Sequence, residues 1–237
     1  MFVRDCMSAP VVTITADTPF QTALHTMQTH RFRRLPVVDK NGRLAGIVSE
    51  RDLLHAAPSP ASSLSVWEHN YLLSRLTVQQ VMTRAIIITT PDTPVEHAAS
   101  LMIANKIGGL PVVDARDQVV GMITETDIFR VFVEMLDGQE GSVRLTLELP
   151  DDQGLPFELI ESISILGGEL ISYGAFGHAH GVRRILMVVK GVSLLDIQSL
   201  LRRHNVQVTS SVEMPGVAFY EKIPFGGRID FLNGVLL

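Results

Sequence analysis

Hydrophobic positions in the first half of the chain switch repeatedly between two periods. Residues 11–15, Val-Val-Thr-Ile-Thr, are rich in β-branched side chains and predict a strand. Asp17-Thr18-Pro19 follows as a helix-start signal, a capping side chain just before a proline at the first turn. Ala23, Leu24 and Met27 are then spaced by three and four, which predicts an amphipathic helix ending near Arg31. Residues 35–39 and 44–49 are two short apolar strands joined through Lys40-Asn41-Gly42-Arg43, where Asn-Gly signals a hairpin. A second helix begins at Glu50. The same order returns with a strand at 86–88, a helix over 98–106, strands at 110–114 and 119–124, and a helix from Glu125.

The return is a gapless duplication. Shifting residues 7–54 by 75 positions onto 82–129 aligns Asp17-Thr18-Pro19 with Asp92-Thr93-Pro94, Leu35-Pro36-Val37-Val38-Asp39 with Leu110-Pro111-Val112-Val113-Asp114, and Gly46 with Gly121; 15 of the 48 positions are identical. A solenoid needs three or more copies, so a lone pair implies two half-domains packed face to face. Between them, residues 58–63 read as a loop and 64–76 as a helix returning the chain.

Composition narrows the setting. The 237 residues are 46% hydrophobic, enough for a sizeable core in one or two domains. Apolar runs are short and no signal peptide or membrane span is visible, and the single cysteine, Cys6, cannot form an intrachain disulfide, so a cytoplasmic setting is expected. With 20 basic and 25 acidic residues the net charge of −5 offers no general attraction to nucleic acid or an anionic membrane.

The residues with most chemistry lie where each repeat's last strand becomes its last helix. Gly46-Ile47-Val48-Ser49-Glu50-Arg51-Asp52 matches Gly121-Met122-Ile123-Thr124-Glu125-Thr126-Asp127. A hydroxyl followed three residues later by an acid is a capping box, which on its own only shapes a helix. The same hydroxyl and amides also form a natural phosphate seat, while a carboxylate one turn later can accept hydrogen bonds from both ribose hydroxyls. Both roles are compatible at a helix start that faces a cleft. Arg33 and Arg34 carry the same two readings, a solvated end of a helix or a phosphate contact.

In this order and twice over, Asp-Thr-Pro, Leu-Pro-Val-Val-Asp and Gly-h-h-(Ser/Thr)-x-x-Asp, with h apolar, make residues 3–132 resemble a tandem pair of CBS domains. The resemblance implies an α+β fold in which two βαββα units pack with pseudo-twofold symmetry. It also implies a regulatory, non-enzymatic role in binding AMP, ADP, ATP or S-adenosylmethionine, with no metal beyond magnesium accompanying ATP. Each cleft would take ribose and phosphate contacts from one copy and adenine contacts from the other. One site would join Ser49, Arg51 and Asp52 to Ile87, Ile107, Gly108, Gly109 and Pro111. The other would join Thr124 and Asp127 to Val12, Phe32, Arg33, Arg34 and Pro36. Gly108-Gly109 facing Arg33-Arg34 in the alignment argues that the sites differ, with the Asp52 site the better nucleotide site and Arg51 placed for a phosphate.

Residues 137–141, Asp-Gly-Gln-Glu-Gly, form a polar break. Beyond it strands at 143–149, 170–176, 184–190 and 206–212 and helices at 156–166 and 194–204 give the ferredoxin-like order βαββαβ. This order resembles an ACT domain, and the whole chain resembles acetoin-utilisation-type CBS-ACT regulatory proteins. Where that family carries Asp-x-Pro-Gly-x-Leu and Gly-x-Asn-Ile, this chain has Asp151-Asp152-Gln153-Gly154-Leu155 and Gly167-Gly168-Glu169-Leu170, without the proline and the asparagine. The resemblance implies a homodimer signalling to an effector protein in trans. The expected divisions are a first repeat at 1–56, a linker helix at 57–77, a second repeat at 78–136, an ACT-like domain at 142–213 and an extension at 214–237 that packs on a domain or a dimer partner.

His178-Ala179-His180 between glycines reads as a polar hairpin tip, since two imidazoles without a third ligand do not complete a zinc site. His204 suits the negative end of a helix. Met7, Met27, Met82 and Met102 recur at matched positions and read as core or pocket lining. Gly-x-Ser-x-Gly, P-loop, Gly-x-Gly-x-x-Gly and Cys-x-x-Cys motifs do not occur. A structural or oligomerising adaptor with empty clefts is the first alternative, and an enzyme with an unrecognised site the second.

Overall fold

A computed structural model of the chain describes residues 1–57, 66–136, 141–150, 155–179, 182–204, 206–214, 229–230 and 235–236. The chain forms two compact units, Met1–Val131 and Phe132–Leu237.

In the first unit each repeat builds a small sheet backed by helices. The first repeat supplies β1 (Ile14–Thr15), α2 (Phe20–His30), β2 (Arg34–Val38), β3 (Leu44–Ser49) and α3 (Glu50–Ala56), after a short α1 (Val3–Cys6). The connecting α4 (Val66–Arg75) and a one-turn α5 (Val78–Val81) lead to α6 (Val95–Asn105), β4 (Gly109–Val113), β5 (Val119–Thr124) and α7 (Glu125–Leu136). β1 runs parallel to β2, pairing Ile14 with Val37, and β2 is antiparallel to β3. In the second repeat β4 and β5 pair in the matching register, and a single parallel bridge from Thr89 to Val112 stands where β1 stands in the first.

The opening turns of the repeats are exchanged. Val3 is fully buried among Ala98, Met102, Leu110, Val112 and Ile123 of the second repeat, whereas Val78, its counterpart 75 residues on, is buried among Phe20, Ala23, Met27, Leu35, Val37, Val48 and Leu53 of the first. The backbone follows the same rule. Val3 N–H donates to Thr93 and Arg4 N–H to Pro91, while Val78 N–H donates to Thr18 and Gln79 N–H to Ala16. Ser8 bonds in both directions to Met122 on the edge of β5, and Thr83 bonds in both directions to Ile47 on the edge of β3. Each crossing needs a glycine beneath it: a Cβ at Gly46 would lie 2.5 Å from Met82 Sδ, and one at Gly121 would lie 2.6 Å from Met7 Sδ. Met27 and Met102 are core residues.

Two local expectations are corrected. Asp17-Thr18-Pro19 does not cap α2 through a side chain: Pro19 is the N-cap, and the Thr18 hydroxyl accepts the Thr15 amide instead, closing a turn upstream. The strands expected at 11–15 and 86–88 shrink to Ile14–Thr15 and to the bridge at Thr89. Val11, Val12, Ile86 and Ile87 line clefts in place of pairing.

The hairpins close alike. Asp39 accepts the amides of Asn41 and Arg43, and Asp114 those of Arg116 and Gln118, with Gly42 and Asp117 in the left-handed region at φ +77° and +61°. The bonds from the Gln118 and then the Arg116 amide hold the Asp114 carboxyl below its ordinary range. A depressed folded pKa adds stability that is present above the unfolded value and is lost as pH falls through the folded one. Asp114→Asn is therefore expected to flatten the acid limb of the stability curve below about pH 4, checked by denaturant titration across a pH series.

The second unit is β6 (Val143–Pro150), α8 (Leu155–Ile165), β7 (Glu169–Ala179), β8 (Val182–Lys190), α9 (Leu194–Arg203) and β9 (Gln207–Glu213). Its antiparallel sheet has the order β7-β8-β6-β9. Alternate residues Val143, Leu145, Leu147 and Leu149 of β6 and Ile185, Met187 and Val189 of β8 form one core with Leu159, Ile163, Ile197, Leu200 and Leu201 of the two helices. Ser193 caps α9 by accepting the Asp196 amide, and at the other end of that helix His204 Nε2 is 3.2 Å from Ser162 Oγ on α8. His178 falls on β7, while His180 and residues 58–63 lie outside the described residues, as does most of the extension after Met214, where β10 (Ile229–Asp230) pairs with β11 (Val235–Leu236).

Candidate functional site

Two clefts lie in the first unit, each lined by both repeats. The larger, about 620 Å³, brings together Ser49, Arg51 and Asp52 at the start of α3 with Ile87, Ile107, Gly108, Gly109 and Pro111. The smaller, about 360 Å³, brings together Thr124 and Asp127 at the start of α7 with Val12, Phe32, Arg33, Arg34 and Pro36. The grouping follows from the pseudo-twofold packing, which faces the strand-to-helix corner of one repeat toward the helix-to-strand corner of the other.

Both corners carry the hydroxyl-to-acid pairing of a capping box, and at Ser49 it is closed in both directions. Ser49 N–H and Oγ donate to Asp52 Oδ2 at 2.8 and 2.6 Å, and Asp52 N–H donates back to Ser49 Oγ at 3.2 Å. Thr124 N–H and Oγ1 donate to Asp127 Oδ2 at 2.9 and 2.6 Å. The two carboxylates then differ. Asp127 is buried, and its Oδ1 accepts from Arg130 Nη1 at 3.3 Å. Asp52 is half-buried, and its Oδ1 has no hydrogen-bond donor among the described residues.

The division between the clefts is less clean than the sequence implied. Arg33, Arg34, Gly108 and Glu125 border both. The room left by the two glycines is taken by Arg34: its Nη1 donates to the Gly108 carbonyl, and a Cβ at Gly109 would lie 2.5 Å from that same nitrogen. Arg34 is half-buried whereas Arg33 is exposed, so the two arginines separate into a bridging and a solvated residue. Burial lowers the Arg34 pKa, Glu125 opposes this and Arg33 adds to it; the guanidinium remains a cation at neutral pH.

Sequence reasoning missed three basic residues of the clefts, and the acidic Glu50 and Glu125 beside them. Lys106 lines the larger and Arg31 the smaller, at matched positions that a comparison of basic residues across the 75-residue shift would have found. Arg130 stands three residues after Asp127, one helical turn away. Among the described residues no three His, Cys, Asp or Glu side chains gather as a metal site, and no helix is long and apolar enough to cross a membrane.

The CBS domain family model matches residues 3–59 and 78–134. A CBS domain-containing protein of Dictyostelium discoideum is 33% identical over 137 residues, covering 58% of this chain and 94% of that protein. The chain belongs to the CBS domain family. Its CBS pair is also 32% identical over 130 residues to the L-aspartate semialdehyde sulfurtransferase of Methanocaldococcus jannaschii, covering 55% of this chain and 23% of that enzyme. The crystal structure of the CBS domain pair of protein MJ0100, in complex with 5′-methylthioadenosine and S-adenosyl-L-methionine, is 32% identical, with a TM-score of 0.47, covering 56% of this chain and 95% of that one. Both CBS repeats contribute to each cleft, and the family match ends at residue 134, within α7 and short of β6.

Proposed function

We propose that this chain is a regulatory sensor whose CBS pair binds adenosine-containing ligands, AMP, ADP, ATP or S-adenosylmethionine, and whose Asp52 cleft is the principal site. The observation that carries the reading is the state of the two carboxylates. Asp52 lines a cleft of about 620 Å³ and has one oxygen without a donor among the described residues, whereas both oxygens of Asp127 are engaged. A ribose diol offers two O–H donors, which an open carboxylate oxygen accepts. Arg51 and Lys106 in the same cleft supply charge for a phosphate.

A ligand touching both repeats favours one relation between them, which is how occupancy becomes a signal. The second unit acts as an ACT-like module that pairs two chains and carries the signal to an effector protein. The reading is one of regulation without catalysis at these residues, in a cytoplasmic setting.

Calorimetric titration of AMP, ADP and ATP into Asp52→Asn and Asp127→Asn chains tests the assignment. Losing charged hydrogen bonds to the ribose should weaken binding about tenfold to a hundredfold in Asp52→Asn and clearly less in Asp127→Asn. Equal losses overturn the asymmetry. The complete Ser49–Asp52 capping box favours a second reading, an adaptor with empty clefts, and the absence of any nucleotide-induced rise in melting temperature would decide for it.

A further inference from the structure

We propose that Arg34 is one phosphate-recognising group shared by the two clefts, so that a phosphate-bearing nucleotide in either weakens the binding of a second in the other. The inference rests on the nucleotide-binding reading above and concerns how the clefts are coupled.

Position 34 of the first repeat corresponds to position 109 of the second, and the two meet where the repeats face each other across their pseudo-twofold relation. Two long side chains cannot fill that place together. Gly109 gives way, and the Arg34 guanidinium occupies the room, donating to the Gly108 carbonyl and lying against a backbone that any Cβ would crowd. Among the described residues Arg34 is thus the one half-buried cation that borders both clefts. Other cations belong to one side each, Arg51 and Lys106 to the Asp52 cleft and Arg31 and Arg130 to the Asp127 cleft. Arg33 borders both but is exposed and lacks the bridge.

A guanidinium presents its donors in a planar fork that meets a phosphate with two bonds, so it serves one phosphate at a time. Glu125 sharpens the consequence, because its carboxylate also borders both clefts and a Cβ at Gly108 would lie 2.8 Å from Arg34 Nη2 and 3.0 Å from Glu125 Oε2. When a nucleotide draws Arg34 to its side, the other cleft keeps Glu125 without its cation. An incoming phosphate there meets repulsion.

The test compares AMP binding to the full chain with binding to single-cleft forms. Ile87→Trp, whose indole fills the Asp52 cleft, and Val12→Trp, which fills the Asp127 cleft from the matched position, each leave one cleft for AMP, and the product of their association constants is compared with the product of the two stepwise constants of the unaltered chain. We expect the latter to be smaller by about tenfold, and the two products to agree when the set is repeated on Arg34→Gln. Arg34→Met, which keeps the length of the stem, is measured beside it and should behave the same. Equal coupling with and without the guanidinium overturns the proposal while leaving nucleotide binding intact. AMP binding to none of these forms overturns the reading beneath it as well.

Discussion

Deleting residues 1–8 is expected to loosen the second repeat and leave the first folded, although the deleted residues precede the first. The segment places fully buried Val3 in the core of the second repeat and closes backbone bonds to Pro91, Thr93 and Met122. Burying a valine contributes about 1.5–3 kcal/mol and each of these bonds about 1 kcal/mol, for a total near 5 kcal/mol. That is a large share of the stability of an ordinary domain. Hydrogen exchange should quicken over α6, β4 and β5 and stay slow over α2, β2 and β3. The point substitutions Val3→Asp and Val78→Asp make the comparison sharper, because a bare carboxylate in either core is strongly unfavourable. Val3→Asp should affect the second repeat and Val78→Asp the first. The opposite pattern would refute the exchange.

The second large effect lies in the other unit. Gly168→Ala should lower the melting midpoint of that unit by about 10 °C or more. Gly167, at φ +85°, ends α8, and Gly168 then passes under Val192. A Cβ at Gly168 would lie 2.7 Å from Ile163 Cγ2, 3.0 Å from the Ile163 carbonyl, and closer still to Val192 Cγ2. These neighbours are short branched side chains and backbone, with no flexible end to move aside, so the methyl is accommodated only by parting α8 from the sheet. Calorimetry against Gly174→Ala, where a Cβ meets nothing within 4 Å, separates this clash from the general cost of replacing a glycine in β7. A loss no larger than that of Gly174→Ala would count against it.

Much of this architecture was legible because the duplication gave every element a second reading. The strand-to-helix corners, the helices after Pro19 and Pro94, and the cleft membership of Ser49, Asp52, Thr124 and Asp127 all follow from aligned residues with local physical meanings. The exchange of Val3 and Val78 was not legible, since a valine ahead of a repeat does not say which of two similar cores it enters. Nor was the place of Arg34: the alignment shows arginine opposite glycine, yet only the packed pair shows that the arginine lies on that glycine. In the second unit, alternation along 143–149 and the apolar run at 185–189 announced the sheet, whereas nothing in the sequence placed Val192 over Gly168.

The turns at Arg31 and Lys106 carry a last implication. Each ends a helix in the left-handed region, at φ +56° and +53°, where glycine is the favoured residue and any other costs about 1 kcal/mol. The chain keeps a long basic side chain at both places, one lining each cleft. A protein whose clefts were idle could relax this backbone twice by substituting glycine. Under the proposed nucleotide reading, a left-handed turn kept in duplicate beneath a basic side chain would serve both clefts alike, by holding a cation for an anionic ligand.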